Sequence, residues 1–142
     1  MIIDTTYLLP LARIGVRTDL LQAVLKGHIP LKLEELKVSL ISLFELQAKA
    51  SKLEIPPSDI IKAIKVIRSY FTVIPFYEAG VVEEAHKLKD VLSDYIDRVI
   101  AATAIHLKED LVTEDSEILS IRDLLREKGV NVMSFQDLVG RP

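Results

Sequence analysis

Short apolar segments alternate along this chain with longer amphipathic segments, and this alternation constrains the fold more than any other feature. Strands are predicted at residues 1–3, 37–43, 71–76, 111–113 and 130–134. Strands joined by crossovers of roughly ten or more residues pair in parallel, with the connecting helices on the faces of the sheet. The sequence therefore predicts an α/β fold, a three-layer α/β/α sandwich with a mostly parallel central sheet.

Helices are predicted between these strands at residues 44–53, 78–92, 94–108 and 116–128. An earlier helix must begin close to Asp4, because Pro10 is tolerated only in the first turn, where its missing N–H costs nothing. After the pair Pro56 and Pro57, Ser58 or Asp59 is the expected cap of a further helix.

Composition sets the class of protein. A chain of 142 residues with 49% hydrophobic and 27% charged residues is expected to fold as one domain, residues 1–142. Its net charge of −3 excludes a passive coat for nucleic acid but not an enzyme in which metal ions supply positive charge. The absence of cysteine excludes disulfides, thiolate metal sites and a cysteine nucleophile.

Targeting and nucleotide-binding patterns are also missing. No apolar run reaches the roughly 18 residues of a membrane span, and Asp4 lies where a signal peptide would carry a basic residue. We therefore expect a cytoplasmic protein with no membrane partner. The five glycines form neither GxxxxGK[ST] nor GxGxxG, so nucleotide-binding kinases and dehydrogenases are excluded.

Carboxylates follow two of the predicted strands. Asp4 ends the first strand, and Glu114 and Asp115 follow the strand in LVTED. In parallel sheets, ligands bind beyond the carboxyl ends of the strands, near the point where strand order reverses. If these two strands are neighbours there, Asp4 and Asp115 face the same crevice.

Two further acids can reach the same edge. Glu45 lies in the helix that the second strand feeds, and Asp97 lies near the start of the helix that leads into LVTED. Asp94, one helical turn before Asp97, is an alternative for that acid.

Four converging carboxylates raise each other's pKa and destabilise the fold unless a cation lies between them. An all-oxygen ligand set without cysteine or a suitable histidine favours Mg²⁺ or Mn²⁺. The chemistry that such a site supports is metal-assisted hydrolysis of a phosphodiester.

Each acid also has a purely structural interpretation. Asp4 and Asp115 can cap helices, Asp97 can be stabilised by a helix dipole, and Glu45 alone would be a solvated helix residue. These interpretations do not exclude metal binding. The three histidines, His28, His86 and His106, are interpreted as structural or surface residues.

Four segments in the same order resemble a known family. IIDTTYLL, VSLISLFELQAKA, DRVIAATA and LVTEDSEI are together similar to the motifs of PIN-domain proteins, and more narrowly of the VapC-type ribonuclease toxins. The resemblance covers nearly the whole chain. Pro10 departs from the family, in which the helix after the first motif is commonly uninterrupted, so a shorter or kinked helix is expected here.

The resemblance implies a function and a set of residues. It implies that Asp4, Glu45, Asp97 and Asp115 are the metal-binding, catalytic carboxylates, with Thr6 and Thr113 as polar neighbours; Asp97 is chosen over Asp94 because the family's acid lies three residues before IAATA. It further implies a Mg²⁺- or Mn²⁺-dependent endoribonuclease that cleaves RNA. A homodimer and inhibition by a small antitoxin protein are also implied.

Two other functions compete with this interpretation. A non-catalytic PIN-like module that binds RNA or a protein is disfavoured, because it would have no need of a repulsive acidic cluster. A phosphatase with Asp4 as nucleophile is disfavoured more strongly, because such enzymes place a second aspartate where this chain has Thr6.

Overall fold

The central sheet consists of five short parallel strands. In the computed structural model, which describes residues 1–140, the strands are β1 (Ile2–Ile3), β2 (Lys37–Ser39), β3 (Thr72–Ile74), β4 (Leu111–Val112) and β5 (Val132–Met133). They lie in the order β3-β2-β1-β4-β5, and every pair is parallel. The predicted fold class is therefore confirmed, with a sheet that is entirely parallel.

Residues 1–140 contain eight α-helices, seven between the strands and one after β5. They are α1 (Leu20–Leu25), α2 (Leu40–Lys52), α3 (Pro57–Tyr70), α4 (Ala79–Lys87), α5 (Tyr95–Leu107), α6 (Ser116–Ser120), α7 (Arg122–Glu127) and α8 (Phe135–Val139). Two 3₁₀ helices span Thr5–Ala12 and Leu33–Glu35. No helix in this part of the chain is long and apolar enough to cross a membrane.

The alternation of side chains along the strands creates two separate cores. Successive strand residues point to opposite faces of a sheet, so Ile3 packs with α1, α2, α3, α8 and the first 3₁₀ helix, whereas Ile2 packs with α5, α6 and α7. In β4, Val112 packs in the same core as Ile3, and Leu111 packs in the same core as Ile2. The two adjacent isoleucines of β1 thus hold the outer layers on either side of the sheet.

Strand order reverses between β1 and β4. From β1 the chain moves outwards to β2 and β3, and it then returns to the other side of β1 to form β4 and β5. The register pairs Ile2 with Leu111 and Ile3 with Val112. The expected adjacency of the strands that precede Asp4 and Asp115 is therefore confirmed.

The predicted second strand is too long. It ends at Ser39 rather than at residue 43, because the Ser39 hydroxyl accepts a hydrogen bond from the Ile41 amide (3.2 Å) and caps α2. The helix that carries Glu45 consequently begins at Leu40, four residues earlier than predicted.

The position of Pro10 in its helix also differs from the prediction. Asp4 does cap the helix, which begins at Thr5 as expected, but Pro10 lies in its second half. The segment adopts 3₁₀ geometry and ends at Ala12, with Arg13 in a left-handed conformation (φ 63°). Backbone hydrogen bonds are weaker in 3₁₀ than in α-helical geometry, so the N–H missing at Pro10 costs less here; the departure from a regular helix expected at Pro10 is therefore found.

Other boundaries depend on prolines. Pro56 rather than Ser58 or Asp59 occupies the cap of α3, and Pro57 is its first residue, where proline is favoured. The proline in the segment FTVIPF predicts a strand at an edge of the sheet, or one that ends there, and β3 does lie at an edge and ends just before Pro75. The helix predicted at residues 116–128 is divided into α6 and α7 at Ile121, and residues 141–142 of the predicted domain lie outside the described part.

The fold predicts contrasting effects of two leucine truncations on α2. Leu46→Ala removes a fully buried side chain from the core next to Glu45 and should lower the free energy of unfolding by about 2–5 kcal/mol. Leu53→Ala, at the end of the same helix, removes a side chain that is 58% exposed and should have a much smaller effect. Urea unfolding of both variants in EDTA would measure the difference; equal losses would contradict the assigned packing.

Candidate functional site

Asp4 is a buried carboxylate at the end of β1. Its side chain is 6% exposed, yet both oxygens have protein donors: the Thr5 amide donates to Oδ1 (2.7 Å) and the Thr113 hydroxyl donates to Oδ2 (2.6 Å). The Asp4 amide in turn donates to the carbonyl of Val112 (3.1 Å). The carboxylate is therefore fixed between β1 and β4.

The turn after β4 carries the second acid. The Thr113 hydroxyl, besides donating to Asp4, accepts from the Asp115 amide (3.0 Å). Asp115 caps α6 by accepting from the Ile118 amide (3.0 Å). Thr113 thus links the two acids at the switch point directly, through one hydroxyl group.

Helix α2 brings Glu45 and Lys49 to the same edge. The two residues are four apart, so they lie on the same side of the helix. Both line the cleft above the strand ends. Within residues 1–140, the Glu45 carboxylate accepts no hydrogen bond and Lys49 has no carboxylate at ion-pair distance.

Helix α5 supplies Asp97 from its first turn. Asp94 is the cap of this helix and accepts from the Ile96 amide (3.2 Å). Arg98 holds the preceding loop, because its side chain donates to the carbonyls of Leu92 (2.6 Å) and Ser93 (3.1 Å). Because Asp94 at the start of α5 lines the acidic cleft, the positive end of the helix dipole lies at this edge.

These side chains surround one cleft of about 310 Å³. Asp4, Glu45, Asp97 and Asp115, the four acids named from the sequence, all line it, as does Thr6, while Thr113 lies beneath it against Asp4. Asp94 lines the same cleft, so location alone does not decide whether Asp94 or Asp97 is the third acid. The remaining lining residues are Lys49 and Glu114.

The charges in this cleft change the acidity of its members. The pKa of Asp97 is raised to about 7, first by burial and then by the negative charges of Asp115 and Asp94, with smaller contributions from Asp4 and Glu45. Burial also raises the pKa of Asp4, although its bonds from Thr113 and Thr5 oppose the shift. Six carboxylates against one lysine make this a site of strong repulsion within the described part of the chain.

The donor set fits a hard divalent cation. Oxygens of Asp97, Asp115 and Glu117 lie within 4.8 Å of one another. No hydrogen bond from residues 1–140 satisfies the Asp97 carboxylate, so an oxygen ligand is available there. Carboxylate oxygens without nitrogen or sulfur donors favour Mg²⁺ or Mn²⁺ over softer metals.

Two features of the site are not predicted from the sequence. Glu117 lies two residues after Asp115, where an acid in a first helical turn is usually explained by the dipole; the only signal is its spacing in TEDSE. Glu114 accepts hydrogen bonds from the hydroxyl of buried Tyr7 (2.5 Å) and from the Phe135 amide (2.8 Å). Burial, and then the adjacent Glu114, raise the pKa of Tyr7, so its hydroxyl stays a donor.

None of the three histidines lines the acidic cleft. His106 lies against α4, where its Nε2 is 3.2 Å from a carboxylate oxygen of Glu78. A Cβ on Gly80 would come within 2.2 Å of the same imidazole, so that close approach requires glycine. A larger cavity of about 470 Å³ lies beside β5, but it mixes Arg122 and Arg126 with acids and collects no set of like ligands.

The raised pKa of Asp97 predicts a pH-dependent effect of neutralising it. Because the folded state binds the Asp97 proton more tightly than an unfolded chain does, proton binding stabilises the folded state fully below the ordinary pKa of 3.8, and this stabilisation is lost as pH rises through about 7, where the ionised carboxylate opposes folding. In EDTA, Asp97→Asn should therefore stabilise the protein more at about pH 8 than at about pH 5, as measured by urea unfolding.

Asp123→Asn provides the control, since Asp123 is an 89% exposed acid on α7. Its effect should change little between the two pH values. If both variants showed the same pH dependence, the repulsion assigned to the cleft would be wrong.

Comparison with known proteins agrees with this geometry. The family model for the PIN domain matches residues 1–124, whereas no curated protein matches the chain. A toxin–antitoxin complex from Klebsiella pneumoniae contains a similar chain, with 21% identity, a TM-score of 0.61 and coverage of 91% of this chain and 93% of that one.

Two FitAB structures are also similar. FitAB bound to an IR36 DNA fragment has 18% identity and a TM-score of 0.67, with 94% of each chain covered. FitAcB from Neisseria gonorrhoeae has 20% identity and a TM-score of 0.66, with 96% of this chain and 99% of that chain covered. These likenesses show a shared fold, and with the match over residues 1–124 they establish that the chain belongs to the PIN domain family.

Proposed function

We propose that this PIN domain is a Mg²⁺- or Mn²⁺-dependent endoribonuclease that hydrolyses RNA phosphodiester bonds, and that it is the toxin of a toxin–antitoxin pair. The observation that carries the proposal is the convergence of Asp4, Glu45, Asp97 and Asp115 on one cleft at the switch point of the sheet. A cluster of this kind opposes folding, so its presence is best explained by a bound cation.

The proposed ligands are the four carboxylates, with Glu117 within reach beside Asp97 and Asp115. A bound divalent ion supplies an acidic water molecule for attack and neutralises charge on the phosphate. Asp4 is rigid because Thr5 and Thr113 bind both of its oxygens. Glu45 and Asp97 accept no such bonds within residues 1–140 and remain available to a ligand.

Lys49 is proposed to contact the RNA backbone. It is the one basic residue that lines the cleft in the described part of the chain, and it is exposed on the same side of α2 as Glu45. A phosphate entering among six carboxylates is repelled unless cations offset their charge. The lysine and the start of α5 provide positive potential where the bound ion alone would be insufficient.

We expect cleavage of a structured RNA pool by the wild type with Mn²⁺ and none in EDTA. Asp97→Asn should lower the cleavage rate by at least about 100-fold, because it removes a proposed ligand. Gel analysis of end-labelled RNA would measure the rates, and single-stranded DNA of matching sequence would test the preference for RNA.

Asp123→Asn is the matched control, since it makes the same change on an exposed acid outside the cleft. Its rate should equal that of the wild type. Equal activity of Asp97→Asn and the wild type would refute the catalytic assignment. If the folded wild type neither bound Mn²⁺ in calorimetry nor cleaved RNA, a PIN-like binding module would be the better interpretation.

The proposed partner is a small antitoxin protein. Two of the similar structures are described as a toxin–antitoxin complex and as FitAB bound to DNA, which supports a partner for this chain as well. Helix α2, which carries Glu45, forms a mainly apolar groove with α3, and Phe44 (64% exposed) and Ile61 (52% exposed) line it. We propose that an antitoxin segment packs there and directs a basic side chain towards the carboxylates.

Coexpression with a candidate small antitoxin protein would test this assignment. We expect a complex that no longer cleaves RNA, and Phe44→Asp should weaken it by at least about tenfold, because a charge replaces an apolar contact at the interface. Leu25→Asp makes the same kind of change at a 70% exposed leucine on α1 and should leave binding intact. Equal effects of the two variants would contradict the α2–α3 groove.

The homodimer and the cytoplasmic location remain predictions. Sedimentation of the purified protein would test the first, since a dimer has twice the 16.0 kDa mass of one chain. A single 16.0 kDa species at micromolar concentration would contradict it.

A further inference from the structure

Glu114 is placed differently from the other acids of the cleft. One of its oxygens, Oε2, accepts two hydrogen bonds, from the Tyr7 hydroxyl (2.5 Å) and from the Phe135 amide (2.8 Å). Tyr7 belongs to the first 3₁₀ helix and is fully buried, and Phe135 is the first residue of α8. The carboxylate therefore connects the turn after β4 to elements near both ends of the chain.

The same turn contains two residues that the proposed function requires. Glu114 lies between Thr113, which donates to Asp4, and Asp115, whose amide donates to the Thr113 hydroxyl. The turn is only three residues long, so a shift of Glu114 must move at least one of its neighbours. The backbone of Thr113 is also bound to β5, through its amide and the carbonyl of Met133 (2.9 Å).

We propose that Glu114 is a positioning residue, and that the bridge formed by Tyr7, Glu114 and Phe135 fixes the Thr113–Asp115 turn so that Asp4 and Asp115 can share a divalent cation. This inference rests on the proposed function for its metal, but not for the bridge itself. It also makes α8 part of the site, although α8 lies beyond residues 1–124, the segment that matches the PIN family. Groups around a metal's direct ligands typically change its affinity by about 10–100-fold.

Substitutions at Phe135 isolate the amide donor. Phe135→Pro removes the N–H, and proline is tolerated at the first position of a helix. Ser134 before it already has the extended conformation (φ −88°, ψ 169°) that proline requires of its neighbour. Phe135→Ala also loses the ring but keeps the N–H, so the difference between the two variants measures the hydrogen bond.

Tyr7→Phe isolates the hydroxyl donor, because it keeps the buried ring. Tyr70→Phe is its control, since Tyr70 is 58% exposed at the end of α3. We expect Tyr7→Phe and Phe135→Pro to weaken Mn²⁺ binding, measured by calorimetry, by about tenfold relative to their controls. A purely structural role would lower the melting temperature and leave the affinity of the folded protein unchanged, which would overturn the proposal.

Hydrogen exchange in EDTA tests the bridge without metal. The amides of Asp115 and Ile118, both hydrogen-bonded in this turn, should exchange faster in Phe135→Pro than in Phe135→Ala. Equal exchange would refute the bridge whatever the metal result. Faster exchange in a protein that binds no Mn²⁺ would instead refute the proposed metal site and leave the bridge in place.

If Glu114 were itself a metal ligand, the variants would behave differently. Glu114→Gln would then weaken Mn²⁺ binding while Tyr7→Phe would not, and this outcome would overturn the positioning role. Under the proposal the two changes act through one bridge, so the double variant should be little weaker than either single variant.

Discussion

The bond between the Thr113 hydroxyl and Asp4 is the interaction on which the arrangement of the site depends. It joins the ends of β1 and β4, two strands of two residues each that come together only because strand order reverses between them. A buried carboxylate without donors would be neutral or would destabilise the fold. The donors on both of its oxygens lower the cost of burying Asp4 at the strand end.

The other acids of the cleft differ in how far the protein stabilises their charge. Helix α5 directs its positive end at the acids, and Asp94 and Asp115 each cap a helix, so part of the repulsion is offset by backbone dipoles. Asp97 and Glu45 receive no such compensation from hydrogen bonds within residues 1–140. Both line the cleft without a hydrogen-bond donor among these residues, and an acid with a raised pKa in a cleft, such as Asp97, is a common feature of functional sites.

Much of the fold could be predicted because strand periodicity and helix spacing are local properties. The adjacent isoleucines of β1, the edge position forced by Pro75 and the acids at strand ends all follow from short segments of sequence. The boundary at Ser39 could not, since VSLISL is apolar enough for a buried strand or a buried helix, and one serine hydroxyl decides between them. Four of the clustered acids were predictable, whereas Glu117 was not, because an acid in the first turn of a helix is common without any ligand.

Long-range contacts were beyond the sequence for a different reason. Tyr7 and Glu114 are separated by 107 positions, and nothing in either segment marks them as partners. The 3₁₀ geometry around Pro10, which helps to aim Tyr7 inwards, likewise depends on packing against the sheet. Side-chain pairing of this kind depends on how the layers pack against one another, and local propensity carries no information about it.

The helix caps described above have a consequence for how this protein can change over generations. Asparagine caps a helix about as well as aspartate, so an amide at Asp94 or Asp115, which each accept a cap bond on one oxygen, would remove a charge from the cleft and preserve the local backbone. The repulsion between the acids would fall at the same time. A change in the charge of the cleft is therefore separable from loss of structure at these two positions, and a descendant with neutral caps would keep the outer surface of the protein unchanged.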